Sequence, residues 1–536
     1  MRFDHLTGRA SDPLSAELTS ASPPHAAPAL DATFGLSSEA YGERVERVLG
    51  YLRAGDCYQI NLTDAFELFE PGDLLALYLR VRRAQRTSYG AYLDFGNPRI
   101  ASFSPELHFR VRGNELLTRP MKGTASRGRS LAEDMERRSA LATDDKNRAE
   151  NVMIVDLLRN DMGRLCCYGS VTVPELFSVR PFGKVLQMTS TILGEMAGRP
   201  ALGEIFAKLF PSGSVTGAPK RRAMQIIREL EGRPRGVYTG AIGYAAPGGD
   251  MTFSVAIRTL VASGKRAPVE ANGEKPAAPL GVVPPAGRAE RALLGVGSGI
   301  VVDSLAGEEY RECLLKAAFI TEPGDPFELF ETMRLEAGRA CFAEQHLDRL
   351  RGSADYFGFP FDRTEAERLL SARARESGTG IWRLRLSLRH DGCLDLSSAP
   401  LDRSSGRLLV GLADERVDSS DPFLQHKTTR RARHDRALSI ARKGGLADLL
   451  FLNERGELTE GAVSNLFVET GGKLLTPPQE SGLLPGVGRS NVLSGHANAA
   501  EAILRLPDLL RADAIYLCSA LRGMRKAGLQ VKQVDA

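Results

Sequence analysis

Apolar and polar positions follow two different periods along this 536-residue chain, and the period changes from segment to segment. In "SSEAYGERVERVLGYLRAGD" the residues Val45, Val48, Leu49 and Leu52 keep a three-and-four spacing, which predicts an amphipathic helix stopped at Gly55. "CYQINLTDAFEL" alternates instead and predicts a strand. "AENVMIVDLLRNDMGRL" predicts a second helix, in which Val152, Ile154, Val155, Leu157 and Leu158 form an almost wholly apolar segment expected to be buried. "RRAMQIIRELEG" predicts a third, stopped by Gly232. "GVYTGAIGYA" and "MTFSVAIRTLV" predict paired strands.

The stretch "ASGKRAPVEANGEKPAAPLGVVPPAGRAER" breaks both periods and has the Ala, Pro and Gly content of a linker. A strand pattern resumes directly after it in "ALLGVGSGIVVDS". Residues 263–290 are therefore expected to be a long flexible surface loop inside one domain. The boundary falls at "TEPGDP", residues 321–326, ahead of fresh strand patterns in "FELFETMRLEAG" and "RACFAE". The expected organisation is a poorly ordered lead-in over residues 1–36, a first domain over 37–322 and a second over 327–536. More than one domain is also what a chain of this length requires.

Composition narrows the class. A hydrophobic content of 43% and a charged content of 25% are those of a globular chain. The net charge of +4 is small, and basic residues are scattered without interleaved aromatics, so nucleic acid is not an expected partner. No apolar run approaches a membrane span, and the N-terminal segment lacks the apolar region of a secretory signal. The seven cysteines form no CxxC pair and no disulfide framework, which suits a reducing cytoplasm. Adjacent Cys166 and Cys167 are expected to be buried small apolar residues.

Candidate chemistry sits in short polar and glycine-rich segments. In "RPMKGTASRG" Pro120, Gly123 and Gly128 shape a non-helical backbone and leave Lys122 as its main chemical group. Alone, such a lysine is a solvated loop residue. Glu106 in "SPELHF" lies in an apolar, strand-like setting, Glu150 starts the second helix, and Glu309 and Glu312 share one face of a helix in "GEEYRECLLKA". Single carboxylates are usually solvated, but glutamates converging from separate helices suit Mg²⁺, a hard cation that takes one or two carboxylates with water and substrate oxygens. "GVGSGI", residues 295–300, lacks the acidic partner of a dinucleotide fingerprint, yet its N–H groups can form an anion nest. Arg258, at a strand end, can hold a carboxylate bidentately. A metal site, two anion sites and one lysine point to a small dianionic substrate.

These segments, with "FPSGSVTGAPKRRAMQIIRELEG", "SVAIRT" and "GVGSGIVVDS", resemble the chorismate-utilising enzymes in sequence and order over roughly residues 40–320. The resemblance implies an α+β fold of antiparallel sheets with flanking helices, shortened at its N-terminus. It implies Mg²⁺ held by Glu150 and Glu312, with Glu309 beside them, and an enolpyruvyl carboxylate held by Arg258 and Tyr238. Thr124 and the backbone of Gly297, Ser298 and Gly299 would surround the ring. The anthranilate-forming members carry alanine where Lys122 stands, whereas the aminodeoxychorismate-forming members carry lysine. By that likeness Lys122 attacks ring carbon C2 and expels the 4-hydroxyl, Glu106 protonates the departing group, and ammonia adds at C4 and expels the lysine. A lysine must be neutral to attack, which burial or a nearby cation favours. Gln187 replaces a histidine found in many relatives. The shortened N-terminus leaves part of the family's β-structure, a tryptophan pocket and the contacts to a glutamine amidotransferase partner outside what the resemblance implies.

Residues 327–536 carry a second set. Lys427 lies in the basic stretch "HKTTRRARHDRA", Glu460 and Asn465 lie in the strand–turn–strand pattern "DLLFLNERGELTEGAVSNLFVE", and "GLLPGVGRSNVL" is a glycine-rich turn entering a helix. A lysine, a carboxylate and an N-terminal phosphate cradle are what pyridoxal 5'-phosphate (PLP) needs. This half resembles the fold-type IV PLP enzymes, the two-subdomain family of branched-chain and D-amino acid aminotransferases and aminodeoxychorismate lyase. The resemblance makes Lys427 the cofactor's lysine, Glu460 the partner of its ring nitrogen and Arg349 a grip on its phosphate. Gly486, Val487 and Gly488 become the phosphate turn, with Gly488 in place of the usual hydroxyl residue.

Joined in one chain, the two resemblances imply amination of chorismate followed by loss of pyruvate to give 4-aminobenzoate. Ammonia would come from solution or from a separate glutamine amidotransferase subunit, since no glutaminase triad is present, and the second domain would support a homodimer. Two other readings stand beside this one. In the first, an anthranilate- or isochorismate-type domain is fused to a true aminotransferase. In the second, the chain is a non-catalytic, truncated subunit.

Overall fold

The computed structural model describes residues 2–4, 9–11, 32–69, 73–84, 87–183, 185–263, 291–321, 326–377, 380–401 and 408–530. It divides into two compact units, Met1–Ser126 with Arg138–Asp325, and Arg127–Arg137 with Pro326–Ala536. Residues 127–137, expected in the first domain, thus pack with the second. The reason is local. The Arg127 guanidinium lies 4.1 Å over the Tyr356 ring, and the Tyr356 hydroxyl donates to the Gly128 carbonyl at 2.6 Å. Fully buried Asp134 accepts from Arg127 Nε and from the Gly128 N–H.

Two seven-stranded antiparallel sheets form the first unit. One runs Thr172–Phe182, Val185–Glu195, Glu115–Arg119, Leu107–Arg112, Met251–Val255 and Ala241–Ala245, with Met121–Ser126 also paired to Val185–Glu195. The other is centred on Gln59–Phe69 paired with Arg291–Ile300 over ten residue pairs. Helix Ser38–Arg53, capped by the Ser37 hydroxyl, buries Tyr41, Val45, Val48, Leu49 and Leu52 against this second sheet, as its period demands. Helix Lys220–Glu231 stops at left-handed Gly232.

Helix Asp145–Met162 differs from expectation. Ile154, Val155, Leu158 and Met162 are buried, but Val152 is exposed and Leu157 only partly covered. An α-helix turns 100° per residue, so five apolar residues within seven cannot all face one core. Cys166 is buried against Gly194, whereas Cys167 is exposed, because its N–H pairs with the Glu195 carbonyl at the sheet rim. The seven cysteines are free.

The lead-in is not wholly irregular. Ala32–Phe34 pairs with Gln59–Phe69, and Arg2–Asp4 pairs with Arg9–Ser11. Phe34 stacks on Phe66 at 4.7 Å and packs beside Tyr41 and Tyr310, an apolar anchor that its proline- and alanine-rich surroundings conceal. Residues 1, 5–8 and 12–31 of the lead-in and residues 264–290 lie outside the described residues, and Ser263, expected in the loop, ends a strand.

In the second unit, Arg339–Ala340, Leu329–Glu336, Trp382–Leu388 and Leu394–Pro400 form a sheet covered by helices Ala343–Phe357 and Arg363–Glu376. An eight-stranded sheet follows, in which Leu458–Gly461 pairs at the far edge with Asn465–Thr470. That pairing closes six strands onto themselves and sets Glu460 opposite Asn465 at the seam. Both units are α+β. Among the described residues no helix is long and apolar enough to cross a membrane.

Strands Thr259–Ser263 and Arg291–Ile300 are antiparallel neighbours, with Ser263 opposite Arg291. Replacing residues 264–290 by a short glycine-containing turn is expected to leave the first unit folded, because closure entropy depends only logarithmically on loop length. The check is the urea-unfolding midpoint, which should stay unchanged or rise; a fall would show that the segment is packed structure.

Candidate active sites

A cavity of about 420 Å³ opens in the first unit, within the range of small-molecule sites. Glu106, Lys122, Thr124, Glu150, Tyr238, Arg258, Gly297, Gly299, Glu309 and Glu312 all line it, as do Gln187, Ser214, Glu308 and Lys316. Ser298 does not. Side chains alternate along a strand, so Gly297 and Gly299 face the cavity while Ser298 turns to the core and bonds the Tyr41 hydroxyl at 2.8 Å.

Glycine at one strand position creates the space for Lys122. A Cβ on Gly299 would collide with the Lys122 ammonium, and one on Gly295 would collide with the Tyr238 ring. Lys122 lies on the short strand Met121–Ser126, and its Nζ stands 3.2 Å from Glu150 Oε2. The nearest charged partner is therefore an anion, not the second cation that would favour a neutral amine. Asn151 Nδ2 fixes the strand by donating to the Lys122 carbonyl at 3.2 Å.

Burial tunes the remaining groups. It pushes the Glu106 carboxyl up to about 7, against the Ser214 hydroxyl and the Met121 N–H, leaving a carboxylic acid able to give a proton near neutrality. It brings Arg258 down to about 10, and it raises the Tyr238 phenol. Arg258 sits at a left-handed turn, φ 49°, between strands Met251–Val255 and Thr259–Ser263. Glu312 sits 2.5 Å from Lys316, whose Nζ also donates to the Gly297 carbonyl. Burial would raise Glu312, but Lys316 and Lys122 outweigh it and hold the carboxyl low. Glu309 accepts from the Ser304 hydroxyl at 2.6 Å. Among the described residues no three His, Cys, Asp or Glu side chains gather as a metal cluster. The acidic donors come in from two helices, Asp145–Met162 and Ala306–Thr321. Gln187 Nε2 donates to Thr124 Oγ1 at 3.0 Å, so the position that departs from the histidine pattern stands in the cavity wall. Lys316 and Ser214 escaped the sequence reading because each looks like an ordinary helix or loop residue.

The second unit holds a lysine–carboxylate pair of another kind. Burial, joined by the Arg349 and Arg431 guanidiniums, brings Lys427 down to about 7. Burial pushes Glu460 up to about 8, although it accepts from Asn465 Nδ2 at 3.0 Å and from the Leu484 N–H at 3.1 Å. Lys427 Nζ lies 5.0 Å from the Phe330 ring centre, and its carbonyl is tied to the Phe330 N–H. Arg349 is engaged more firmly than a free phosphate grip would be: it binds Glu331 through two bonds of 2.9 and 2.6 Å and donates to the Pro485 carbonyl. Burial would raise Glu331, but Arg349 and His346 draw it down to about 2. Arg349 thereby fixes the turn before Gly486.

Helix Val487–Gly495 starts at Gly486 without a side-chain cap, so its first N–H groups remain available to an anion. A Cβ on Gly486 would collide with Asn465 Oδ1, and one on Gly488 would lie 2.7 Å from the backbone of Ser519 and Ala520. Gly488 is a packing requirement, which accounts for the absence of a hydroxyl side chain there.

Residues 4–274 match the model of the chorismate binding enzyme family, and residues 328–528 match that of the amino-transferase class IV family. The chain belongs to the chorismate binding enzyme family. Its second part is an amino-transferase class IV domain. Aminodeoxychorismate synthase component 1 of Escherichia coli (strain K12) is 40% identical over 277 residues, 52% of this chain and 56% of that one. The crystal structure of anthranilate synthase component I from Streptococcus pneumoniae TIGR4 is similar at 30% identity and TM-score 0.48, covering 60% of this chain and 71% of that one. A hypothetical aminotransferase from Mycobacterium tuberculosis, PLP-bound form, matches at 23% identity and TM-score 0.35, covering 38% of this chain and 81% of that one. The chain spans about half the length of the curated relatives it matches.

Gly488→Ser is expected to lower the stability of the second unit by about 1–3 kcal/mol through overpacking. Thermal unfolding of the purified variant checks this; an unchanged midpoint would show that the Ser519–Ala520 turn yields freely.

Proposed function

We propose that the chain makes 4-aminobenzoate in two steps: amination of chorismate in the first unit, then elimination of pyruvate from 4-amino-4-deoxychorismate in the second. The observation that carries the first step is Lys122 in the wall of a cavity that also presents Glu106 and Arg258. Arg258 and Tyr238 hold the enolpyruvyl carboxylate. Glu150 and Glu312 hold Mg²⁺, with Glu309 in support; hard oxygen donors from two helices fit that ion, which neutralises the ring carboxylate when bound. Lys122 Nζ attacks ring carbon C2 as the 4-hydroxyl leaves with the proton of Glu106. Ammonia then adds at C4, the electron pair shifts back, and the lysine departs. A glutamine amidotransferase subunit is the proposed ammonia source.

The donors around Lys427 fit PLP: an amine near neutrality, a buried carboxyl at the ring-nitrogen position, and an uncapped helix start without side chains at Gly486 and Gly488. The cofactor, when bound, supplies an electron sink at the substrate amine. Lys427 would hold the cofactor through its amine and, when free, would remove the C4 proton of the substrate, so that expulsion of pyruvate would leave an aromatic ring. The domain is proposed to dimerise.

Incubation with chorismate, ammonium, Mg²⁺ and PLP should yield 4-aminobenzoate and pyruvate. Lys122→Ala should abolish the first step, with anthranilate the product to look for. Lys427→Ala should accumulate 4-amino-4-deoxychorismate, and borohydride should fix the cofactor to Lys427 in the unmutated protein only. Wild-type 4-aminobenzoate formation by either variant would overturn the role of that lysine.

The proton of Glu106 has a pH signature. A general acid works only while protonated, so kcat/KM for chorismate should fall as pH rises through about 7, the value of the unliganded enzyme. Glu106→Gln should lower the rate and remove that limb; a limb retained in the variant belongs to another group.

A further inference from the structure

Gln59 opens strand Gln59–Phe69 and is 1% exposed, yet its Oε1 has no hydrogen-bond partner among the described residues. A buried acceptor left without a donor costs stability, so a position that keeps one has another use for it. The amide end lies over Gly299, where a Cβ would stand 2.8 Å from Gln59 Nε2 and would also collide with Lys122 Nζ. Amide and amine therefore share the space that the missing side chain leaves open. A half-turn about the terminal torsion of glutamine exchanges Nε2 and Oε1, which sets the orphan acceptor over Gly299, in the space that the amine shares. Lys122 has three N–H donors as an ammonium, and Glu150 faces it at 3.2 Å.

We propose that Gln59 is a positioning residue for the first reaction, its amide oxygen accepting an N–H of Lys122 and aiming the amine into the cavity. This rests on the reading of Lys122 as nucleophile. Glu150 alone cannot set that direction, because it is also proposed to face the metal and the ring carboxylate. A neutral amide beside the amine orients it without competing for the cation. Gln59 is held from behind by pairing of its backbone with Ala218, so its aim is a property of the sheet.

The test uses the full chain with chorismate, ammonium and Mg²⁺. Gln59→Leu and Gln59→Met should each lower kcat roughly tenfold or more while KM for chorismate stays within about twofold. Thermal stability should change little, because the Lys122 amine that loses this acceptor keeps Glu150 as its partner. A merely structural glutamine would instead lose stability and activity together, and that result, or failure of both variants to fold, overturns the assignment. So does a kcat within about twofold of the unmutated enzyme. Lys122→Ala run alongside separates the two layers: full activity there removes the nucleophile reading itself, whereas an inactive Lys122→Ala beside a fully active Gln59→Leu removes only the role of Gln59.

Discussion

The first site depends on one stretch of a strand face, from Gly295 to Gly299, that carries no side chains. Along Arg291–Ile300, Gly295, Gly297 and Gly299 fall on the cavity side, while Leu294, Val296 and Ile300 are buried in the core. Period-two alternation turns three glycines into a smooth floor. The Tyr238 ring lies on it at Gly295, and the Lys122 ammonium and the Gln59 amide lie on it at Gly299. A Cβ at Gly295 or Gly299 would displace one of those groups, and one at Gly297 would collide with Leu62 and Thr63 of the paired strand. The strand nonetheless stays in register, since ten residue pairs bind it to Gln59–Phe69.

Around that floor the protein keeps polar groups where water is scarce. Glu106 is 4% exposed and rises to about 7, and Arg258 falls to about 10; burial drives both shifts. Desolvation disfavours whichever form is charged, so one effect moves an acid up and a base down. The unit thus holds a carboxyl that keeps its proton up to about pH 7 and a weakly solvated guanidinium in one cavity. Both are suited to a substrate that brings its own negative charge.

The second unit reaches a similar end by different means. Burial and two cations bring Lys427 down to about 7, and burial raises Glu460 to about 8 at the seam of a closed set of strands. Glycine again sets the distances, here by letting a helix start press against Asn465 and the Ser519–Ala520 turn. In both units the candidate side chains are carried by strands, helices and the short segments that join them, so the fold itself sets their positions.

Much of this was legible in the chain itself. Helices Ser38–Arg53 and Lys220–Glu231 and the long central strands follow from local period and stop signals, and those depend only on residues a turn or a pleat apart. The glycines of residues 295–299 stood out by their pattern, whereas Lys122 and Lys427 stood out through the family resemblance of the segments around them. Local period could not show that Ser298 turns away, that Lys122 meets Glu150, that Gln59 shares the space above Gly299, or that residues 127–137 join the second unit. Nor could it show that Gly488 is demanded by a backbone more than thirty residues further along. Such facts depend on which distant segments become neighbours. Burial and charge then act through space, so the partner of a side chain and the proton it holds were decided only when the sheets closed.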